Sequence, residues 1–123
     1  MISIDSSGWI ERFGGGPKAA KYNRIIDEVG QEEIVTSVLV LYEVYRRVKE
    51  VKGEETALEA IAVLSQTNVI PLDQTMSLEA ADYSLDHGLH MSDAIIYATA
   101  RRQDAELYTS DEDLKGLKGV TYL

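Results

Sequence analysis

Cysteine is absent from the 123 residues, Phe and Trp occur once each, and Pro occurs twice. Without thiols there can be no disulfide scaffold, thiolate zinc site or cysteine nucleophile, and a reducing compartment suits the chain. Chemistry must come from carboxylates, hydroxyls, basic groups or the two histidines. No apolar run approaches the roughly 20 residues that cross a bilayer. The opening MISIDSSGW has neither a basic n-region nor a long apolar h-region. A cytoplasmic protein with no membrane segment is the expectation. Positive charge is also short: 12 Lys and Arg face 21 Asp and Glu, a formal charge of −9. A phosphate backbone repels such a chain on average. Carboxylates that hold a divalent cation nevertheless count as negative in this sum, so net charge alone does not exclude nucleic acid.

The length fits one domain over residues 1–123 with one continuous core. Short β-type runs, Met1 to Ile4, Glu33 to Ser37, Asn68 to Leu72, Glu106 to Ser110 and Gly119 to Leu123, alternate with helical stretches. The helical stretches are Ser6 to Phe13, Lys18 to Val29, Val38 to Lys52, Glu54 to Ser65, Gln74 to His87 and Ser92 to Arg102, with a final turn near Asp113 to Leu117. Helices between successive strands are crossovers, which predicts an α/β/α sandwich: a mostly parallel five-stranded sheet with about seven helices on its two faces. Gly14, Gly15, Gly16 and Pro17 read as a turn with Pro17 opening the second helix. Gly53 separates the middle pair, and Gly88 follows the fifth helix as its C-terminal glycine. The glycine run lacks the spacing of a phosphate loop.

In open α/β folds ligands collect beyond the carboxyl ends of the strands. Asp5 and Asp111 directly follow the first and fourth strand runs, Glu43 lies on the helix after the second, and Asp93 opens the helix that begins Ser92-Asp93-Ala94. Taken singly, Asp5, Asp93 and Asp111 read first as helix caps, and Ser110-x-x-Asp113 has the form of a capping box. Asp73 is explained by capping alone. Glu43 is different, because Val38 to Tyr42, Val44, Tyr45 and Val48 make nearly its whole helix apolar. A carboxylate desolvated there costs several kcal/mol unless paired or metal-bound. An ion pair with Arg46 or Arg47 is one solution. A shared cation is the other: converging carboxylates cannot all stay ionised without a counter-ion, and Mg²⁺ or Mn²⁺ takes oxygen ligands, whereas zinc does not suit the set. Such ions orient water and neutralise a phosphodiester's developing charge, so phosphodiester hydrolysis is the natural reaction.

Ile4-Asp5-Ser6-Ser7, Thr36-Ser37 with Tyr42-Glu43-Val44, the stretch Gly88 to Ala100 containing Ser92-Asp93-Ala94, and Leu107-Tyr108-Thr109-Ser110-Asp111-Glu112-Asp113-Leu114 together resemble the PIN-domain ribonucleases, above all the VapC toxins of toxin–antitoxin modules. No single piece is specific, but their order, spacing and the overall length agree. The resemblance implies that Asp5, Glu43, Asp93 and Asp111 form an acidic quartet that binds Mg²⁺ or Mn²⁺ and catalyses RNA hydrolysis. Asp113 would be an additional acid, and Ser7 and Thr109 hydroxyl positions that hold ligands or water. It also implies an RNA substrate, a VapB-like antitoxin lying across the site, and a homodimer.

Arg46, Arg47, Lys49, Lys52, Arg101, Arg102, Lys115 and Lys118 are the basic candidates for RNA contact, each read first as a solvated charge. Trp9 reads as core or dimer surface, and His87 and His90 as structural. Two other classes compete. A non-catalytic PIN-like binding module would have lost acids that this chain keeps. A receiver-like phospho-acceptor module would need an acidic pair where Ser6 and Ser7 follow Asp5, and a Lys after the last strand.

Overall fold

Apolar triplets and quartets rich in Ile and Val are too short to be helices and too apolar to face water, so they pair with one another and leave the sheet's faces to helices. The computed structural model describes residues 1–123. Its five strands are β1 (Ile2–Ile4), β2 (Ile34–Ser37), β3 (Asn68–Ile70), β4 (Glu106–Thr109) and β5 (Val120–Tyr122). All neighbours are parallel, in the order β3-β2-β1-β4-β5. A receiver-like module of the flavodoxin type runs 2-1-3-4-5, so the observed order argues against that alternative.

Six α-helices make the crossovers: α1 (Ser6–Gly14), α2 (Ala19–Val29), α3 (Val38–Lys52), α4 (Glu54–Leu64), α5 (Gln74–His87) and α6 (Met91–Arg102). The anticipated seventh element is a single 3₁₀ turn, Glu112–Leu114, and another such turn, Gln31–Glu33, precedes β2. The second helix starts at Ala19 rather than Lys18, with Pro17 left in the preceding turn. β3 stops at Ile70, because Pro71 has no N–H to donate to a ladder. Gly88 adopts φ 67°, the left-handed conformation that a residue with a Cβ takes at a cost.

Right-handed crossovers place α1 to α4 on one face and α5 with α6 on the other. One cluster of 22 buried residues forms the core. β2 is buried along its whole length, and α6 is buried continuously from Ala94 to Ala100, packed against β2, β4, α3 and α5. Trp9 is fully buried, which settles it as core. Gly8 lets α1 approach α2 closely, since a Cβ there would collide with the Tyr22 ring. No helix is long and apolar enough to cross a membrane.

After β1 the chain steps to β2 on one side, and after β4 it steps to β5 on the other. The strand order therefore reverses between β1 and β4, and the crevice at their carboxyl ends is where this architecture leaves room for a ligand. Asp5 and Asp111 stand on its two sides.

Leu107 sits fully buried on β4 between β1 and β5. Truncating it leaves a cavity in the centre of the sheet, so Leu107→Ala is expected to cost about 2 to 5 kcal/mol. Urea unfolding measures this, and a loss well under 1 kcal/mol would be inconsistent with the core described.

Candidate metal centre

The β1–β4 ladder extends one residue beyond β1, with the Asp5 amide donating to the Tyr108 carbonyl at 2.9 Å. This carries the Asp5 side chain to the crevice, where the residue is only 2% exposed. Asp5 occupies the N-cap position of α1, but its side chain makes no capping bond. Its Oδ2 instead accepts from Ser7 Oγ at 3.0 Å and from Thr109 Oγ1 at 2.8 Å. Its Oδ1 is buried with no partner. Burial pushes the Asp5 carboxyl above its ordinary 3.8. The Thr109 and Ser7 hydrogen bonds pull the other way, and the Glu43 charge pushes further up.

Thr109 ties this arrangement to the other wall. Its hydroxyl also accepts from the Asp111 amide at 2.9 Å, so one oxygen positions carboxylates from both sides of the crevice. Ser7 works in parallel, accepting from the Ser110 amide at 3.1 Å. Behind them Ser110 Oγ lies 2.7 Å from the hydroxyl of Tyr22, a fully buried residue. The expected Ser110-x-x-Asp113 capping box does not form. Asp111 Oδ1 caps the turn by accepting from the Asp113 amide at 2.9 Å.

Asp93 lies in the first turn of α6, where His90 is the N-cap and makes no side-chain capping bond. Oxygens of Asp93, Asp111 and Asp113 all lie within 4.8 Å of one another, Asp93 and Asp111 being half-buried and Asp113 exposed. The Asp93 carboxyl is raised from 3.8 to about 7, first by desolvation and then by the negative charge of Asp111, with Asp5 and Glu43 adding to it. Asp5 and Glu43 stand outside the tight triplet, yet their charge is felt within it.

Glu43 is half-buried on α3. The alternative of an arginine partner is not realised: Arg47 pairs with Glu50 at 3.2 Å, and Arg46 makes no ion pair. Glu43 Oε2 accepts from Ser92 Oγ at 3.2 Å, and its Oε1 is buried without a partner. Asp73 caps α5, accepting from the Met76 amide at 2.8 Å, but capping is not its whole role, since it also pairs with Arg102 at 3.7 Å. His87 packs against Tyr83 and Tyr97 at ring distances of 6.2 Å, as its structural reading anticipates.

Three participants escape sequence reasoning. Ser92 is visible only as the neighbour of Asp93, and Ser110 is masked by the capping-box pattern. Tyr22 reads as an apolar-face residue of α2, and nothing local marks its hydroxyl. The donor set fits a hard divalent cation: every group is an oxygen, and two buried carboxylate oxygens, Asp5 Oδ1 and Glu43 Oε1, lack any other partner.

Both raised carboxyls act on stability in the same direction. The unfolded chain releases these protons near 3.8, whereas the folded chain holds the Asp93 proton to about 7. Between those values the folded state binds more protons, so the contribution is fully present below 3.8 and is lost as pH rises through 7. Thermal melts in EDTA should therefore show Asp93 favouring pH 5 over pH 8, and Asp93→Asn should flatten that slope. An unchanged slope in the variant would contradict the crowding described.

The PIN domain family model matches residues 2–120. Among solved structures, a toxin–antitoxin complex from Klebsiella pneumoniae superposes with a TM-score of 0.84, at 24% identity, covering 98% of this chain and 96% of that one. The sarcin–ricin-loop-cleaving toxin VapC20 of Mycobacterium tuberculosis superposes at 0.80, with 19% identity and 98% of each chain covered. A DNA-bound VapBC from Salmonella typhimurium gives 0.74, at 12% identity, over 100% of this chain and 98% of that one. At these identities the likeness is one of fold. No curated protein matches the chain. With a family match from the first strand into the last, and the parallel sheet and acidic crevice already described, the chain belongs to the PIN domain family.

Proposed function

We propose that the chain is a divalent-metal-dependent endoribonuclease, the VapC-like toxin of a toxin–antitoxin pair, built as one domain over residues 1–123. The observation that carries this reading is the pair of unpartnered buried oxygens on Asp5 and Glu43, beside the Asp93, Asp111 and Asp113 triplet. Structural relatives described as a toxin–antitoxin complex, a sarcin–ricin-loop-cleaving toxin and DNA-bound VapBC point the same way.

Asp5, Glu43, Asp93 and Asp111, with Asp113 at the exposed rim, would hold Mg²⁺ or Mn²⁺. When bound, such an ion supplies an acidified water and neutralises charge developing on the scissile phosphate. The chain's own part is positional. Thr109 and Ser7 hold Asp5, Ser92 holds Glu43, and the Asp111 turn is tied back to Thr109, so the carboxylates would present their oxygens to an ion in a set arrangement. One carboxylate of the group takes up the proton that the attacking water releases.

Two surfaces support the partners. A groove of about 220 Å³ between α1 and α3, lined by Ile10, Phe13, Val48 and Val51, shares Ile10 and Arg47 with the cavity that Glu43 lines and suits an antitoxin segment. Leu78 and Leu85, 63% and 84% exposed, lie seven residues apart on one stripe of α5 and suit a homodimer contact. A cytoplasmic location accords with an RNA substrate.

Asp93→Asn and Asp5→Asn should each abolish cleavage of single-stranded RNA, by about a hundredfold or more if the ion supplies several kcal/mol, with the circular dichroism of the fold retained. EDTA should do the same to the wild-type protein, and Mg²⁺ or Mn²⁺ should restore it. Full cleavage by purified protein in excess EDTA overturns the metal-dependent reading.

A further inference from the structure

The rim of the acidic crevice on the α3 side carries two side chains that neither the metal centre nor the core uses. Tyr42 is 63% exposed and its hydroxyl makes no hydrogen bond within the protein. Arg46 is exposed and has no carboxylate partner, although Glu43 lies three residues before it on the same helix. A side chain four residues along a helix lies one turn above the first, so the Tyr42 ring and the Arg46 guanidinium share a face.

That face forms one wall of a cavity of about 350 Å³ lined by Ser6, Ile10, Tyr42, Glu43, Arg46 and Arg47. The volume lies at the lower end of the range for small-ligand sites, roughly 300 to 1,000 Å³. Glu43 belongs both to this wall and to the acidic group. Whatever fills the cavity therefore lies against a reacting carboxylate.

The chemistry of the wall names its occupant. An exposed ring offers a π-face that any nucleobase can stack on, and a guanidinium offers paired donors to a phosphate. Several basic side chains have no carboxylate partner, but Arg46 is the one that lines the cavity holding Glu43, where it locally offsets the repulsion of phosphate by a chain of formal charge −9. Stacking on a side chain requires a base free of its helical neighbours, which single strands and loops provide and an A-form duplex does not.

We infer that Tyr42 and Arg46 bind the nucleotide next to the scissile phosphate, Tyr42 by stacking on an unpaired base and Arg46 by contacting the adjoining backbone phosphate. The inference rests on the ribonuclease reading and adds to it the residues that select single-stranded substrate. Arg47, already paired with Glu50, shapes the wall.

Fluorescence anisotropy tests it with a fluorescein-labelled single-stranded RNA dodecamer of mixed sequence and with the duplex of that strand, using the full chain carrying Asp93→Asn so that the RNA survives. Tyr42→Ala should weaken single-strand binding about tenfold and narrow the preference over duplex, while Tyr42→Phe should keep both. Arg46→Ala should lower the dependence of log affinity on log salt by about 0.7, the release expected from one single-strand phosphate contact. If Tyr42→Ala lost its fold, Tyr42→Leu, which keeps apolar bulk on the helix, carries the same expectation. Unchanged single-strand affinity and salt slope in these variants, with the wild-type protein still cleaving RNA, would overturn the inference and leave the ribonuclease reading standing. A wild-type protein that neither binds nor cuts RNA would overturn both.

Discussion

Carboxylates gathered at the ends of parallel strands repel one another, and burial makes each charge harder to keep. That constraint organises the whole crevice. Hydrogen bonds to a charged group contribute roughly 1.5 to 3 kcal/mol each, whereas desolvating a carboxylate costs several kcal/mol. The two hydroxyls on Asp5 reduce the imbalance without removing it, and its carboxyl remains shifted upward. The residual demand is for a proton or a cation. A fold spends stability on such an arrangement where the unpaired oxygens have a use, and the same crowding raises Asp93.

Much of this was legible in the residues, for reasons that differ from place to place. The alternation of apolar runs with longer amphipathic stretches reported the parallel sheet, because both faces of such a sheet are covered and its strands need no polar side. Asp5 and Asp111 were legible from their places after strands, and Glu43 from its apolar neighbours. What stayed hidden depends on contacts between distant segments. The Ser110-x-x-Asp113 pattern follows local capping rules, but Tyr22, 88 residues away in sequence, engages the Ser110 hydroxyl and leaves the cap to Asp111. The unpaired state of Arg46 was equally invisible: spacing allows a pair with Glu43, and Ser92 takes the place beside that carboxylate instead.

The acidic crevice and the groove beside it divide the labour along one pair of helices. α1 begins at the buried Asp5 and runs out past Ile10 and Phe13, while α3 carries Glu43 near one end and Val48 and Val51 near the other. A molecule lying along the groove thus has its end directed at the carboxylates. The two cavities share Ile10 and Arg47 in their linings, so they are neighbours along α1 and α3.

β4 enters the sheet beside β1 although more than a hundred residues separate them in the chain. Asp5 and the hydroxyl that holds it, Thr109, therefore lie 104 positions apart in sequence, and Asp111 lies further still. Until β4 lies beside β1 the acidic crevice does not exist. Closing the sheet and gathering the acids are thus one event, and the entropy of joining two such distant segments is met before the carboxylates can repel one another.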